Sequence, residues 1–533
     1  MEQDQSMRTI SELLSHASET AGDTLIRCPD GDLSYADLDK EVWRVASGLR
    51  NLGVEPGDRV GLWLPNLRAY LCLYGACARL GAIGVGMNTR YRRTEIEDVL
   101  RRSRPKVLAF VPNLGRADHM EILNEVDPAL LAGLSGAVQV GGEPVLTGGL
   151  RVTQYAELAA AEPMDSGLGS PDSGCVIFMT SGTTSLPKFV LHNQQQVVRH
   201  ACDVARMLQL WNPGTMVLQS LPFCGVFGFI YLLATLRAGA PTVIPVMFEA
   251  SETAALMLRH TVTHVAGGDD MFSRLLTEGD RLTGGAEKPY PALRFCPYAT
   301  FNSALAEFYV TAYQRGFPLL GPFGMSEVFS FFSLRRMDDP EGIRTVGGGV
   351  PVCRDAKVRI RDPDSGEVLG EDREGELEIW TPNLFAGYYG NAEATAKAMT
   401  EDGYFKTGDL GTIQADGAFT YLGRMGDVLR LGGFLVNPLE IETHLCAHQT
   451  VADAQTVAIT TARGNRPVAF VILEAGAVID EAALIDHCRQ SLAGFKVPVR
   501  VIPIDAFPST PSPNGTKIQK AELRRMAEQL APV

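Results

Sequence analysis

The sequence predicts an α/β protein in two parts: a large N-terminal body of layered α/β sheets with a β-rich subdomain, and a small α+β unit at the C-terminus. Helical and strand periodicities alternate from residue 34 to residue 111, which is the signature of a layered sheet. Past residue 350, strand-like runs separated by Gly and Asp turns replace that alternation, and from about residue 426 a short helix–strand–helix succession begins. The length of 533 residues itself calls for a division, because single cores stop growing at roughly 250–300 residues. The boundary is placed near 424–427, giving domains 1–424 and 425–533.

Taken in order, Ser34 is placed to cap a helix reaching Leu52, since Leu38, Val42, Val45 and Leu49 recur at helical spacing. Gly53, Pro56 and Gly57 end it, and 59–64 reads as a buried strand. A helix over 66–80 and a strand over 83–86 follow, and the pair recurs at 96–104 and 106–111. Residues 161–174 form a loop leading into an apolar strand over 175–179. Residues 207–236 carry no charge, a length that raises the question of a membrane span. Pro213, Gly214, Pro222, Gly225 and Gly228 interrupt the stretch, so a buried core segment is predicted instead. Further strands are expected over 357–361, 375–380, 419–422 and 467–473, with helices over 439–446 and 481–493. No repeat of 20–50 residues marks a solenoid or propeller.

Composition excludes several classes. At 45% hydrophobic and 21% charged residues the chain is neither disordered nor a small disulfide scaffold. Asp and Glu outnumber Lys and Arg by 62 to 48, and basic residues gather only in short groups such as Arg101-Arg102. A nucleic-acid partner is therefore not expected. The ten cysteines contain no C-x-x-C pair, which predicts buried free thiols in a reducing compartment. The polar start, Met1-Glu2-Gln3-Asp4-Gln5, is not a secretory signal. A cytoplasmic protein without a transmembrane segment is the expectation. His260/His264 and His444/His448 have the i, i+4 spacing of zinc ligands but lack the Glu of H-E-x-x-H and a third ligand. They are read as core or solvent histidines, with His260 and His264 flanking a strand. Gly347-Gly348-Gly349 is read as a turn.

Four clusters carry chemistry. Thr180-Ser181-Gly182-Thr183-Thr184-Ser185-Leu186-Pro187-Lys188 follows a predicted buried strand and offers hydroxyls, backbone N–H groups and a cation. Such a nest suits a polyphosphate, although it lacks the spacing of a Walker A loop; a polar surface loop is the bland alternative. In Phe323-Gly324-Met325-Ser326-Glu327 the ring could stack a base and the carboxylate could hold Mg²⁺. Gly324-x-Ser326 also opens like a nucleophile elbow, but Val328 stands where the last Gly belongs, which weakens an α/β-hydrolase reading through Ser326. Asp409, in Thr407-Gly408-Asp409-Leu410, could accept both hydroxyls of a ribose, with Arg424 adding donors. Lys517 and Lys520 lie in a Gly- and Pro-rich stretch near the end.

In this order, together with 33–66, 403–411 and 423–442, these clusters resemble the adenylate-forming superfamily of acyl-CoA synthetases, peptide-synthetase adenylation domains and beetle luciferases. The resemblance spans nearly the whole chain. It implies ATP-dependent conversion of a carboxylic acid to an acyl-AMP, followed by displacement of AMP by the thiol of CoA. By resemblance, Thr180, Ser181, Gly182, Thr183, Thr184 and Lys188 hold the β- and γ-phosphates, while Phe323 and Gly324 lie at the adenine. Ser326 meets the α-phosphate, Glu327 ligates Mg²⁺, Asp409 and Arg424 take the ribose, and Lys517 bridges carboxylate and phosphate. The small domain is expected to be mobile, with Gly426 at its hinge, where the family usually has Lys or Asp. Ser185, Phe189 and Pro322 stand where glycines are common. The pocket is expected at Phe223, Cys224, Gly225 and Phe227. No acidic residue occurs from Met207 through Met247, so an α-amino acid, whose ammonium would be buried unpaired, is disfavoured. A hydrophobic and bulky acid is favoured by Gly225. Two alternatives are an adenylation-only enzyme handing the acyl group to a carrier protein or a separate enzyme and, remotely, the Ser326 hydrolase; a homodimer is allowed for.

Overall fold

The computed structural model describes residues 6–114, 118–143, 150–180, 187–300, 305, 307–363, 365–425, 429–431, 434–436, 438–461, 464–512 and 515–530. Its first large sheet has eight strands in the order Gly387–Tyr388, Lys188–Asn193, Gly174–Thr180, Ile83–Gly86, Arg59–Trp63, Val107–Phe110, Gly136–Gln139, Val152–Gln154. From Gly174–Thr180 outward to Val152–Gln154 the pairs are parallel, and the first two strands add antiparallel edges. Helices cover both faces, so the central strands read as unbroken apolar runs.

The helices follow their sequence signals closely. Ser34 caps Tyr35–Asn51 by accepting from the Asp37 N–H, with Asp37 returning the bond in a capping box. Leu38, Val42, Val45 and Leu49 all point inward from it and are fully buried. The helix predicted over 66–80 begins later, at Arg68. Asn66 stays outside it because its side chain bonds the backbone at Gln219, Leu221 and Phe223. The uncharged stretch ends inside the helix Val226–Ala238, which is buried on nearly every face, as a helix apolar along almost its whole length must be. Among the described residues no helix is long and apolar enough to cross a membrane.

A second eight-stranded sheet follows in the order Pro322–Phe323, Ser333–Leu334, Gly348–Pro351, Phe419–Arg424, Phe405–Ile413, Gly375–Trp380, Lys357–Arg361, Val368–Leu369. This β-rich layer thus opens at Pro322, ahead of the expected residue 350. Gly348 and Gly349 form a strand, not the expected turn. A Cβ on Gly348 would lie 2.2 Å from the Phe419 carbonyl oxygen, and one on Gly349 equally close to that of Leu334, so glycine here serves the close approach of neighbouring strands. His260 caps the C-terminus of Ala250–Arg259, and only His264 belongs to a strand.

The buried apolar clusters lie either wholly before residue 422 or wholly after residue 428. The later core is built from the hairpin Leu429–Leu431/Phe434–Val436, the helices Pro438–Cys446 and Glu481–Ser491, and the sheet Val451–Thr461, Gly464–Leu473, Arg500–Pro503. All ten cysteines are free thiols, and all but Cys446 are buried. Among the described residues no group of three or more His, Cys, Asp or Glu is placed to hold a metal ion.

Candidate active site

Lys188 opens the strand Lys188–Asn193, which runs antiparallel to Gly174–Thr180 with Thr180 opposite Lys188. The Lys188 N–H donates to Thr180 Oγ1 at 3.3 Å, closing the base of the intervening loop. Ser181, Gly182, Thr183 and Thr184 lie outside the described residues. Phe189, where a glycine was expected, is fully buried, with the Arg102 guanidinium 4.1 Å over its ring. The same Arg102 donates to the Pro187 carbonyl at 2.6 Å. Arg102 thereby ties the Phe189 ring to the Pro187 backbone.

Glu327 comes to the same place from 139 positions further along. It sits in the 3₁₀ turn Ser326–Val328 and is buried. Tyr388, delivered by the short strand Gly387–Tyr388 beside Leu191 and Val190, donates its phenol to Glu327 Oε1 at 2.8 Å. Lys188 Nζ lies 3.4 Å from that phenol oxygen and 4.5 Å from the ring centroid. Burial, with the Glu327 charge added, pushes the Tyr388 phenol well above its ordinary pKa, so it remains a donor.

The turn that carries Glu327 is strained. Phe329, Ser330 and Phe331 follow it in left-handed conformation, with φ of 57°, 57° and 42°, at an order-of-magnitude cost of ~1–3 kcal/mol for each such residue. Two imidazoles hold it: His192 Nε2 donates to the Ser326 carbonyl and His200 Nε2 to that of Ser330, each at 2.7 Å. Burial pushes the His192 pKa down to about 3 and lowers that of His200, so both are neutral donors at physiological pH. The Phe329 ring packs edge-on against Phe178 and His192. Gly324 is needed for the chain to fold back, since a Cβ there would lie 2.7 Å from the Phe331 nitrogen. Ser326 opens a 3₁₀ turn whose chain continues into the strand Ser333–Leu334. A nucleophile elbow needs strand, turn and helix.

Asp409 and Arg424 face each other across the strands Phe405–Ile413 and Phe419–Arg424. Arg424 Nη1 donates to Asp409 Oδ1 at 2.7 Å and to the Thr407 carbonyl at 3.0 Å. Burial pushes the Asp409 carboxyl up to about 6 despite the opposing pull of Arg424, and the Glu327 carboxylate adds to the rise. The ribose, metal and phosphate candidates therefore share one electrostatic neighbourhood. Gly408, at φ 69°, supplies the left-handed residue that kinks this strand before Asp409. Phe323 is 7% exposed, its ring packed on Phe419 and Tyr421 at 5.2 and 5.5 Å.

Of the pocket candidates, Phe223 is spent in the core against Tyr70, and Cys224 is buried with its thiol pushed up to about 12 by that burial. Gly225 caps the helix Val226–Ala238 in extended conformation. Phe227 packs against Phe331 at 5.0 Å, and Phe331 in turn lies over Tyr231. Phe227 and Tyr231 both belong to the helix that Gly225 opens.

In the C-terminal unit, Lys517 pairs with Thr510 through the hairpin Ser509–Ser512/Gly515–Ile518, and its side chain lies outside the described residues, as does Gly426. Lys520 begins the helix Lys520–Leu530 and is committed elsewhere: its ammonium pairs with the buried Glu442 and donates to the Thr456 carbonyl. Sequence reasoning missed Tyr388, His192 and His200. Strand parity offered one signal, because residues 188, 190 and 192 share a face.

A body of layered α/β sheets with a separate small unit, and the motifs around Lys188, Glu327 and Asp409, define the class as adenylate-forming. Comparison agrees: the family model for AMP-binding enzymes matches residues 13–389, and that for the AMP-binding enzyme C-terminal domain matches 440–513. The chain belongs to this family, and its class is that of the AMP-forming acid–thiol ligases. It is 28% identical to the putative acyl-CoA synthetase YngI of Bacillus subtilis, over 97% of this chain and 96% of that one. It is 30% identical to a feruloyl-CoA synthase of Amycolatopsis, over 94% and 95%. The fold is also that of ATP-bound MatB from Rhodopseudomonas palustris, with a TM-score of 0.82 at 24% identity over 98% of this chain and 99% of the other.

Proposed function

We propose that the protein activates a hydrophobic, bulky carboxylic acid with ATP and passes the acyl group from acyl-AMP to CoA. The convergence of Lys188, Glu327, Asp409 and Arg424 on one site, from segments spread over 237 positions, is the observation that carries this reading. A carboxylate is a poor electrophile because its leaving group would be an oxide. In the reading, a substrate carboxylate oxygen attacks the α-phosphorus and pyrophosphate leaves; the CoA sulfur then attacks the acyl carbon and AMP leaves. Thr180–Lys188 holds the β- and γ-phosphates, Phe323 and Gly324 lie at the adenine, and Ser326 lies at the α-phosphate. Asp409 accepts the ribose hydroxyls, and Lys517 bridges the reacting groups as a compact point charge. These side chains position the reactants and stabilise charge.

The donor set at Glu327, a carboxylate beside a phenol, is hard oxygen and fits Mg²⁺. Bound there, the ion would neutralise phosphate charge. The domains divide at 424/425, with Gly426 free to serve as hinge. Two features support a hydrophobic acid: the uncharged stretch 207–236 and the Phe227–Phe331–Tyr231 ring stack. Gly225→His tests the pocket. It should cost bulky acids more than small ones, by overpacking of roughly 1–3 kcal/mol; equal losses would remove Gly225 from the pocket. The whole reading is tested by acid-dependent ATP–pyrophosphate exchange over a panel of acids, with thioester detected by mass. Exchange without thioester supports a carrier-protein or separate acceptor, and ester hydrolysis without nucleotide supports the Ser326 alternative.

A further inference from the structure

We propose that Tyr388 is a positioning residue of the ATP site: its phenol stands between the Lys188 ammonium and the Glu327 carboxylate and keeps them from pairing, so that both charges remain available to the triphosphate. The proposal rests on the nucleotide reading above. A buried tyrosine hydroxyl usually needs only a hydrogen-bond partner. This one donates to a carboxylate at 2.8 Å and turns its oxygen and ring face to an ammonium, 3.4 Å and 4.5 Å away. The two charges it separates are those assigned to the phosphates and to the cation that accompanies them.

The scaffold fixes the phenol and leaves the lysine adjustable. Tyr388 pairs through its backbone with Val190 on the very strand that begins at Lys188. Its own N–H donates to Thr395 Oγ1 at 2.9 Å, and its ring packs against Phe385. Gly387 makes the register possible, since its φ of 136° is outside the range of ordinary side chains. Lys188, by contrast, ends in a flexible four-carbon stem. Without the phenol oxygen that bridges them, the stem can carry the ammonium towards the carboxylate. An incoming triphosphate would then have to break a direct ion pair before gaining either group.

The consequence is selective. Loss of the phenol should weaken ligands that carry β- and γ-phosphates and spare those that stop at the α-phosphate. Removing a hydrogen bond to a charged group corresponds to roughly 10- to 100-fold in affinity. The experiment is calorimetric titration of the full-length protein and of Tyr388→Phe with MgATP, with ATP in EDTA, with AMP and with an acyl-sulfamoyl adenosine. Tyr388→Phe is expected to bind ATP roughly 10- to 100-fold more weakly in both metal conditions, with AMP and the sulfamoyl adenosine unchanged. A second comparison, Tyr388→Phe in a Lys188→Met background, should show little further loss, because no ammonium is left to collapse. Equal losses for ATP and AMP, or a full-sized loss in the Lys188→Met background, would show Tyr388 to be packing only and overturn the proposal. Undiminished ATP binding by Tyr388→Phe would overturn it while leaving the nucleotide reading intact; a wild-type protein that binds no ATP would end both.

Discussion

Replacing Lys520 with methionine separates two lysines that lie three residues apart and are easily confused in sequence. The substitution keeps most of the apolar stem and removes the charge. It leaves Glu442, whose side chain is 5% exposed, with the Thr456 N–H at 2.7 Å as its remaining partner. Removing one member of a buried ion pair costs about 3–5 kcal/mol, because the other charge stays desolvated. All four tryptophans precede residue 381, so tryptophan fluorescence is blind to this unit and amide hydrogen exchange is the assay. Protection along Val451–Thr461 should fall by roughly two to four orders of magnitude in Lys520→Met. Adding Glu442→Gln, which removes the stranded charge and keeps an acceptor for Thr456, should restore most of it. Lys517→Ala should leave exchange unchanged while lowering acyl-AMP formation by about 10²–10³-fold, the scale of a lost transition-state donor. If Lys520→Met abolishes adenylation with protection intact, the terminal motif is displaced by three residues and Lys520 does not staple the unit.

Three further outcomes follow from the site. Asp409, raised to about 6 in the folded protein, gives stability that is fully present below its unfolded pKa and lost as pH rises through about 6. Nucleotide binding runs the other way, since only the carboxylate accepts both ribose hydroxyls: AMP affinity should fall about tenfold per unit below about pH 6, and a flat calorimetric profile from about pH 5 to 8 would contradict the assignment. His200→Ala should lower thermal stability by about 1–3 kcal/mol through the unsatisfied Ser330 carbonyl. Because burial lowers the imidazole pKa only in the folded state, that loss should shrink as pH falls through about 6.5, where the unfolded imidazole takes up its proton, and a loss that grows there would contradict the reasoning. Gly324→Ala, with its Cβ 2.7 Å from backbone, should displace the Ser326–Glu327 turn and reduce pyrophosphate exchange by about 10²-fold, the cost of roughly 1 Å of misplacement.

The elements legible in the sequence are those whose cause is local. A capping serine with Asp three residues on, or four apolar residues at helical spacing, fixes Tyr35–Asn51 without reference to the rest of the chain. The same holds for the apolar strand Gly174–Thr180 and for the Asp409–Arg424 pair, whose motifs lie on adjacent strands. Gly348 and Gly349 are not legible in this way, because a run of glycines looks like a turn. Their real cause is the approach of Phe419, 71 positions downstream of Gly348, and of Leu334, 15 positions upstream of Gly349, which no local pattern announces.

The parts of the site that escaped sequence reasoning share one physical property: each acts through a backbone group or a charge that is distant in the chain. His192 and His200 touch no proposed ligand; they bond carbonyls of a strained turn more than 125 positions away. A motif records that Glu327 is present, but three successive left-handed residues would relax and carry Glu327 with them unless something outside the turn held them. Neutral imidazoles suit that work, since burial pushes His192 down to about 3 and also lowers His200, so neither adds charge beside Glu327 at physiological pH. The Glu327 carboxylate is thus set by two buried donors behind it and by the Tyr388 phenol in front of it. Its position is a property of the fold, and the five-residue signature around it marks only where that position is used.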